Sequence, residues 1–117
     1  GLYLIEDFIS IEEEVMIVNF LDNGNKQHKW KHGNVNGPSL NKSWGIVADR
    51  SARKFRPPEF PMPPELEPFV ERMRRVVGVP PLCNFRPNEC NAISYERDKG
   101  HRIDAHCDDR QLSGEVM

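Results

Sequence analysis

Residues 90–109 decide the fold, and they read CNAISYERDKGHRIDAHCDD. The first six residues are predicted to form a strand, in which successive side chains point to opposite faces. One face of this predicted strand carries Asn91, Ile93 and Tyr95. The stretch therefore predicts a strand that presents an amide, a methyl-rich side chain and a phenol on one side.

A predicted turn at 98–100 leads into a second extended segment, 103–109, which contains His106 and Asp108. On extended backbone, residues two apart point the same way, so this imidazole and this carboxylate can reach one metal ion. Both ligand types occur in the triad of two His and one carboxylate of non-haem iron oxygenases. With 4 His and 18 acidic residues in 117 positions, chance alone gives fewer than one such spacing on average, and one is present. A solvated surface His beside acidic residues therefore remains an alternative.

Length and charge restrict the class of protein. A chain of 117 residues fits one domain, and 16 Lys and Arg against 18 Asp and Glu give a formal net charge of −2. Dedicated nucleic-acid binders usually carry a basic excess, which is absent here. The longest uninterrupted apolar run, Val15–Val18, falls far short of the roughly 18 residues that a membrane span needs.

Three cysteines without a CxxC pair do not predict a disulfide framework. This cysteine usage favours a reducing compartment, so the expected location is the cytoplasm, the nucleus or both.

Two amphipathic helices are predicted. The first begins at a capping box formed by Ser10 and Glu13, follows a short strand at Leu2–Ile5, and stops at residues 22–25. Its apolar residues share one stripe: Ile11, Val15 and Val18, widened by Ile17 and Leu21. The second helix starts between Pro64 and Glu67 and stops at Gly78. Its core-facing residues repeat with helical period: Leu66, Phe69, Val70, Met73, Val76 and Val77.

Residues 26–61 give a poor pattern of Asn, Gly and charged residues, with one strand candidate at Trp44–Ala48. A loop of this length inside a compact domain is usually functional or mobile.

Many fixed spacings near the end of the chain agree at once with one family. The spacings are Phe85-Arg86-Pro87-x-Glu89-x-Asn91-x-x-x-Tyr95, then Gly100-x-x-Ile103-Asp104-x-His106-x-Asp108-Asp109, then Leu112-x-Gly114-Glu115. Together they resemble the AlkB family of Fe(II)/2-oxoglutarate dioxygenases. The resemblance covers about residues 1–21 and 60–117.

The resemblance implies roles for four residues. His106 and Asp108 correspond to the first two iron ligands, and Tyr95 to a strand tyrosine that hydrogen-bonds 2-oxoglutarate. Many relatives have Asn two residues before that tyrosine, where this chain has Ile93. Asn91, on the same strand face, is therefore the candidate for the amide that contacts the co-substrate.

The resemblance also implies an α+β fold, with N-terminal helices and the first strands of a double-stranded β-helix, or jelly roll. The family's third iron ligand, a distal His, and its 2-oxoglutarate arginine come well after the first two ligands, and no His follows His106 here. Residues 1–117 are therefore expected to be a single-domain fragment that carries part of the active site. Residues 23–58 are expected to match the family's substrate lid.

For the longer protein, the resemblance implies oxidative demethylation that uses Fe(2+) and 2-oxoglutarate. The expected partner is a methylated protein lysine or an alkylated nucleic-acid base. The absence of a basic excess favours the protein substrate over the nucleic acid.

Two other readings stay open. Cys83, Cys90, His101, His106 and Cys107 are soft ligands that could form a small structural zinc module, although their spacing lacks the short knuckle of known zinc sites. The chain could also be a catalytically inactive interaction module that keeps the scaffold alone.

Overall fold

The computed structural model describes residues 4–33, 36–49, 52, 54–79 and 82–106. Two helices and five strands follow in chain order: α1 (Ile11–Asn23), β1 (Lys31–Gly33), β2 (Ser39–Gly45), β3 (Val47–Asp49), β4 (Lys54–Arg56), α2 (Glu67–Arg74) and β5 (Glu89–Ser94). Short 3-10 helices span Pro64–Leu66 and Arg97–Lys99. The architecture is α+β, as the sequence predicts.

A three-stranded antiparallel sheet with the order β1-β2-β5 forms the centre, and β3 pairs with β4 in a separate hairpin. In the register of β2 and β5, Ser43 lies opposite Asn91 and Trp44 lies opposite Cys90. Because directly paired residues share a face, the sheet has a polar face with Ser43 and Asn91 and a second face with Trp44 and Cys90. The predicted alternation over residues 90–95 is thus confirmed along β5.

The helix α1 begins at the predicted capping box. The Glu13 N–H donates to Ser10 Oγ at 3.2 Å, and the Ser10 N–H donates to Glu13 Oε2 at 2.9 Å. The helix ends at Asn23, where the sequence predicts a stop. Its Phe20 ring lies 5.8 Å from the Trp44 ring, which places α1 on the Trp44 face of the sheet.

The helix α2 supplies most of the core, because Phe69 and Val70 are buried together with Trp44. Its 3-10 entry at Pro64 agrees with the predicted start. The helix ends at Arg74, however, and Val77 is 96% exposed, so the prediction that the helix and its core face extend to Val77 is wrong, although Val76 is half-buried. Two β-branched residues followed by a glycine have low helix propensity, which accounts for the early end.

The prediction of a loop over residues 26–61 is wrong, since four of the five strands lie there. The strand candidate Trp44–Ala48 is divided at Gly45, which has a φ of +78°. A Cβ at this position would lie 2.0 Å from the Asn88 carbonyl oxygen, so only glycine fits. The Gly45 N–H donates to the Phe60 carbonyl at 2.8 Å, and the chain then starts β3.

Lys42 of β2 points to the same face of the sheet as Trp44, and a charged residue on a buried face makes the strand hard to recognise in the sequence. Lys42 is 4% exposed, and its Nζ donates to the Leu21 carbonyl of α1 and lies 5.0 Å from the Trp30 ring centre. The aliphatic stem is thereby buried while the ammonium finds polar and aromatic partners.

Near the start of the chain, Leu4 and Ile5 do not join a strand, and the rest of the strand predicted at Leu2–Ile5 lies outside the described residues. None of the described helices has the length and apolar character needed to cross a membrane.

Candidate active site

A cleft of about 830 Å³ opens on the polar face of the sheet. Its floor is formed by side chains of β2 and β5, and the β3–β4 hairpin and the segment after the Gly100 turn form its walls. The floor residues are Asn41, Ser43, Glu89, Asn91 and Ile93, and the walls include Val47, Asp49, Arg56, Tyr95, Ile103 and His106. We refer to this space as the sheet cleft.

Three of the four predicted site residues line the sheet cleft. Asn91, Tyr95 and His106 all contribute to its surface, although eleven residues separate Tyr95 from His106 in the chain. The fourth, Asp108, lies outside the described residues. The structure thus brings together every predicted site residue that it describes.

Two backbone hydrogen bonds hold the segment that carries His106. The Arg102 N–H donates to the Pro38 carbonyl at 3.1 Å, and the Asp104 N–H donates to the Asn36 carbonyl at 2.6 Å. Between these acceptors, Gly37 adopts a φ of +112°, and a Cβ there would lie 2.4 Å from the Arg102 carbonyl oxygen. The close approach of the two segments therefore requires a glycine at position 37.

The backbone also sets the tautomer of His106. Its Nδ1 lies 2.8 Å from the Asp104 carbonyl oxygen. A carbonyl can only accept a hydrogen bond, so Nδ1 carries the proton and Nε2 carries the lone pair. Metal-binding histidines are commonly oriented by the same type of bond from the second ring nitrogen.

The turn before this segment is confirmed and has a purely structural role. Gly100 has a φ of +66° and ends the 3-10 helix. His101 follows it, and its Nδ1 accepts a hydrogen bond from the Glu96 N–H at 3.1 Å. His101 therefore stabilises the turn.

Asn91 and Glu89 interact along the cleft floor. The Asn91 Nδ2 donates to Glu89 Oε1 at 2.6 Å. This bond fixes the amide of Asn91 and leaves its carbonyl oxygen as an acceptor. Beside it, Tyr95 is 42% exposed, so its phenol is accessible to a bound molecule.

The β3–β4 hairpin contributes side chains to the cleft that the sequence does not predict. Arg56 and Asp49 form an ion pair on the cleft wall, with 67% and 11% of their side-chain surfaces exposed. Together with Glu89, these residues give the cleft two carboxylates and one guanidinium. Asn41 and Ser43 of β2 also line the cleft, but the lysine between them is polar too, so the sequence shows no alternation there although Lys42 is buried.

The described residues do not form a metal site by themselves, since no three of their His, Cys, Asp or Glu side chains come together. This is unfavourable for the structural zinc module, because no three of its described candidate ligands come together. Cys90 lies on the helix-facing side of the sheet, in an apolar cavity of about 290 Å³, and burial raises the pKa of its thiol. A thiol that resists deprotonation is a poor zinc ligand. Cys107 lies outside the described residues.

Comparison with known proteins identifies one distant relative. The chain is 31% identical, over all 117 residues, to the human protein alpha-ketoglutarate-dependent dioxygenase alkB homolog 4. The chain spans 36% of the length of that relative. No family model and no solved structure matches this chain. The similarity supports a relationship to AlkB-like dioxygenases at the level of the family.

Proposed function

We propose that this chain is part of an Fe(II)/2-oxoglutarate dioxygenase of the AlkB family, and that the sheet cleft is the metal and co-substrate side of its active site. The observation that carries the proposal is the meeting of Asn91, Tyr95 and His106 in one cleft. Similarity to the human relative over the whole chain supports the family. In this proposal the β1-β2-β5 sheet belongs to a jelly roll.

Fe(2+) would be held by the Nε2 of His106 and by the carboxylate of Asp108, with a further ligand from outside this chain's described residues. The His106 side chain fits this role because its Nδ1–H is already engaged with the Asp104 carbonyl. With 2-oxoglutarate and oxygen, the iron would supply the oxidising power that hydroxylates an N-methyl carbon, which then leaves as formaldehyde.

The other cleft residues would position the co-substrate. The Tyr95 hydroxyl can donate to a 2-oxoglutarate carboxylate, and so can the second N–H of the Asn91 amide, since only one is used by Glu89. Ile93 lies between them on the strand and lines the same cleft, so it would restrict water near the reacting groups.

We propose a methylated protein side chain as the substrate, with an alkylated nucleic-acid base as the alternative. Among the described lining residues, the carboxylates of Asp49 and Glu89 are set against the guanidinium of Arg56. Arg50 and Arg53 lie outside the described residues. This balance suits a cationic methylammonium group better than a phosphate backbone, which attracts basic surfaces. The β3–β4 hairpin lies within residues 23–58, so part of the proposed lid would contact the substrate directly.

Anaerobic titration of the full chain with Fe(II) in the presence of 2-oxoglutarate tests the metal assignment. We expect His106→Ala and Asp108→Ala each to weaken Fe(II) affinity by more than about tenfold. His32→Ala is the matched control, because His32 is exposed on β1 and does not line the sheet cleft. Unchanged affinity in His106→Ala would contradict the proposal.

A second measurement separates the enzyme from the other readings. Zinc that remains bound through Asp108→Ala and is lost in Cys107→Ser would favour the zinc module. Succinate formation by the full-length gene product, assayed with a methyllysine peptide and with a methylated oligonucleotide, distinguishes the two substrate classes. Fe(II) binding without succinate formation would identify an inactive scaffold.

A further inference from the structure

The single apolar stripe predicted for α1 divides into two parts in the structure, and one of them is directed to solvent. Ile17 and Phe20 are half-buried on the side of the sheet. At roughly 100° per residue, Ile11, Val15 and Val18 lie on the other side. Their exposed fractions are 76%, 63% and 52%. Single exposed apolar residues are ordinary, but three at positions i, i+4 and i+7 form a continuous stripe.

This stripe forms the floor of a shallow groove of about 540 Å³, which we call the α1 groove. Its lining consists of Ile11, Glu14, Val15, Val18, Asn19, Asp22 and Asn23. The charges on its border have one sign, because Glu14 and Asp22 flank the apolar stripe. The sequence of α1, IEEEVMIVNFLDN, contains four acidic residues and no basic residue.

We propose that the α1 groove binds an amphipathic helix of a partner protein whose apolar stripe is flanked by Lys or Arg. Helices dock on one another through anchors at i, i+3 or i+4, and i+7, which is the spacing of the exposed stripe. The acidic border selects a basic partner and speeds its association. A second copy of α1 would bring like charges together, and an anionic lipid surface would be repelled in the same way.

The α1 groove is independent of the proposed enzymatic function. The contact between Phe20 and Trp44 places α1 on the helix-facing side of the sheet, whereas the sheet cleft opens on the polar face. Partner binding is therefore expected to leave Fe(II) affinity unchanged.

A synthetic Leu/Lys amphipathic peptide of about five helical turns, labelled with a fluorophore, is the probe. We expect saturable binding to the full chain that weakens with added salt, and little binding of the Leu/Glu counterpart. Val15→Asp should reduce affinity by about tenfold or more, because a central apolar anchor carries a large share of the binding energy. Met16→Asp is the matched control, since Met16 is 45% exposed on α1 but does not line the groove.

Reversal of a single acidic charge provides a second test of the proposed groove. Glu14→Lys should weaken binding of the Leu/Lys peptide, and Glu65→Lys, an exposed control outside the groove, should not. Circular dichroism verifies that each variant keeps its helices. Absence of binding, equal affinity for the Leu/Glu peptide, or equal losses in Val15→Asp and Met16→Asp would overturn the proposal. Self-association of the chain that Val15→Asp abolishes would overturn it in favour of a second copy.

Discussion

The carboxylate of Glu13 on α1 and the guanidinium of Arg72 on α2 form an ion pair with two hydrogen bonds, one of them 2.9 Å long between Oε2 and Nη1. The same carboxylate closes the capping box with Ser10, and Arg72 also donates to the Phe8 carbonyl. The Arg72 guanidinium lies 5.4 Å from the centre of the Phe69 ring. One acidic side chain therefore couples the start of α1 to the position of α2.

Because of this ion pair, we expect the stability of the folded chain to decrease in acid. Hydrogen bonds from Arg72, followed by that from the Ser10 N–H, lower the pKa of Glu13 from 4.5 to about 2. The unfolded chain takes up this proton near its ordinary pKa, while the folded chain resists. The stabilisation is therefore complete above pH 4.5 and is lost as the pH falls from 4.5 towards 2.

Glu13→Gln should lower the melting temperature at pH 7 and flatten the loss of stability over the acid range, as followed by thermal melts at stepped pH. Glu14→Gln is the control, because Glu14 lies on the same helix but is exposed and takes no part in the pair. Identical acid profiles for wild type and Glu13→Gln would refute the assignment.

A second pH dependence is expected from His28, whose ring stacks on Phe60 at 3.7 Å and meets the edge of Trp44 at 4.6 Å. Burial, followed by the charges of Lys42 and Lys31, lowers the pKa of His28 below 6.5. As the pH falls below 6.5, the unfolded chain gains a proton that the folded imidazole resists, so stability decreases.

Substitution of His28 separates packing from charge. His28→Phe should retain the ring stack and remove the loss of stability below pH 6.5, whereas His28→Ala should cost about 2 to 3 kcal/mol at pH 8 and less at pH 5, where the wild type itself has lost stability. Denaturant unfolding at pH 5, 6 and 8 measures both effects. His32→Phe, at an exposed position, should keep the wild-type profile, and a His28→Phe variant with that profile would disprove the explanation.

Gly37 and Gly100 form a matched pair for testing how the His106 segment is held. Gly37→Ala should lose about 3 kcal/mol of stability, because strain at positive φ adds to the collision with the Arg102 carbonyl. It should also weaken Fe(II) affinity. Position 100 also has a positive φ, +66°, but nothing lies within 4 Å of the new Cβ. Gly100→Ala should therefore lose only about 1 kcal/mol of stability. Equal losses of unfolding free energy in the two variants, measured by chemical denaturation, would show that the close approach at position 37 is unimportant.

The two described cysteines should differ in reactivity. Cys83 is exposed, whereas burial, and then the charge of Glu89, raises the pKa of the Cys90 thiol. An alkylating reagent at neutral pH should modify Cys83 at least about tenfold faster than Cys90. Peptide mass spectrometry over time gives both rates, and the rates should converge in denaturant. Equal rates in the folded protein would mean that Cys90 is accessible.

Local signals in the sequence predicted the elements that local interactions determine. The capping box at Ser10 and the alternation of β5 from Cys90 to Ser94 are both confirmed. Each depends on neighbours within a few residues, so the pattern is visible in the chain itself. The cleft was partly predictable for the same reason, because Asn91 and Ile93 share a face of β5 and Tyr95 directly follows the end of that strand.

The features that the sequence did not predict depend on distant partners. Lys42 looks like a surface residue until the Leu21 carbonyl and the Trp30 ring are in place. Arg56 and Asp49 reach the cleft only because Gly45 redirects the chain into the hairpin. Tertiary contacts of this kind override local propensity, and a single sequence does not display them.

The pairing of β2 with β5 has a consequence for the order of synthesis. Its closest partners, Gly45 and Glu89, are separated by more than forty residues of chain. A ribosome would therefore complete α1, β1 and the β3–β4 hairpin before β5, the second neighbour of β2, has been translated. Until then, the edge of β2 that pairs with β5 stays open, while the rings of Phe20 and His28 already contact Trp44 on its inner face. These two aromatic residues are well placed to protect the growing polypeptide from premature aggregation.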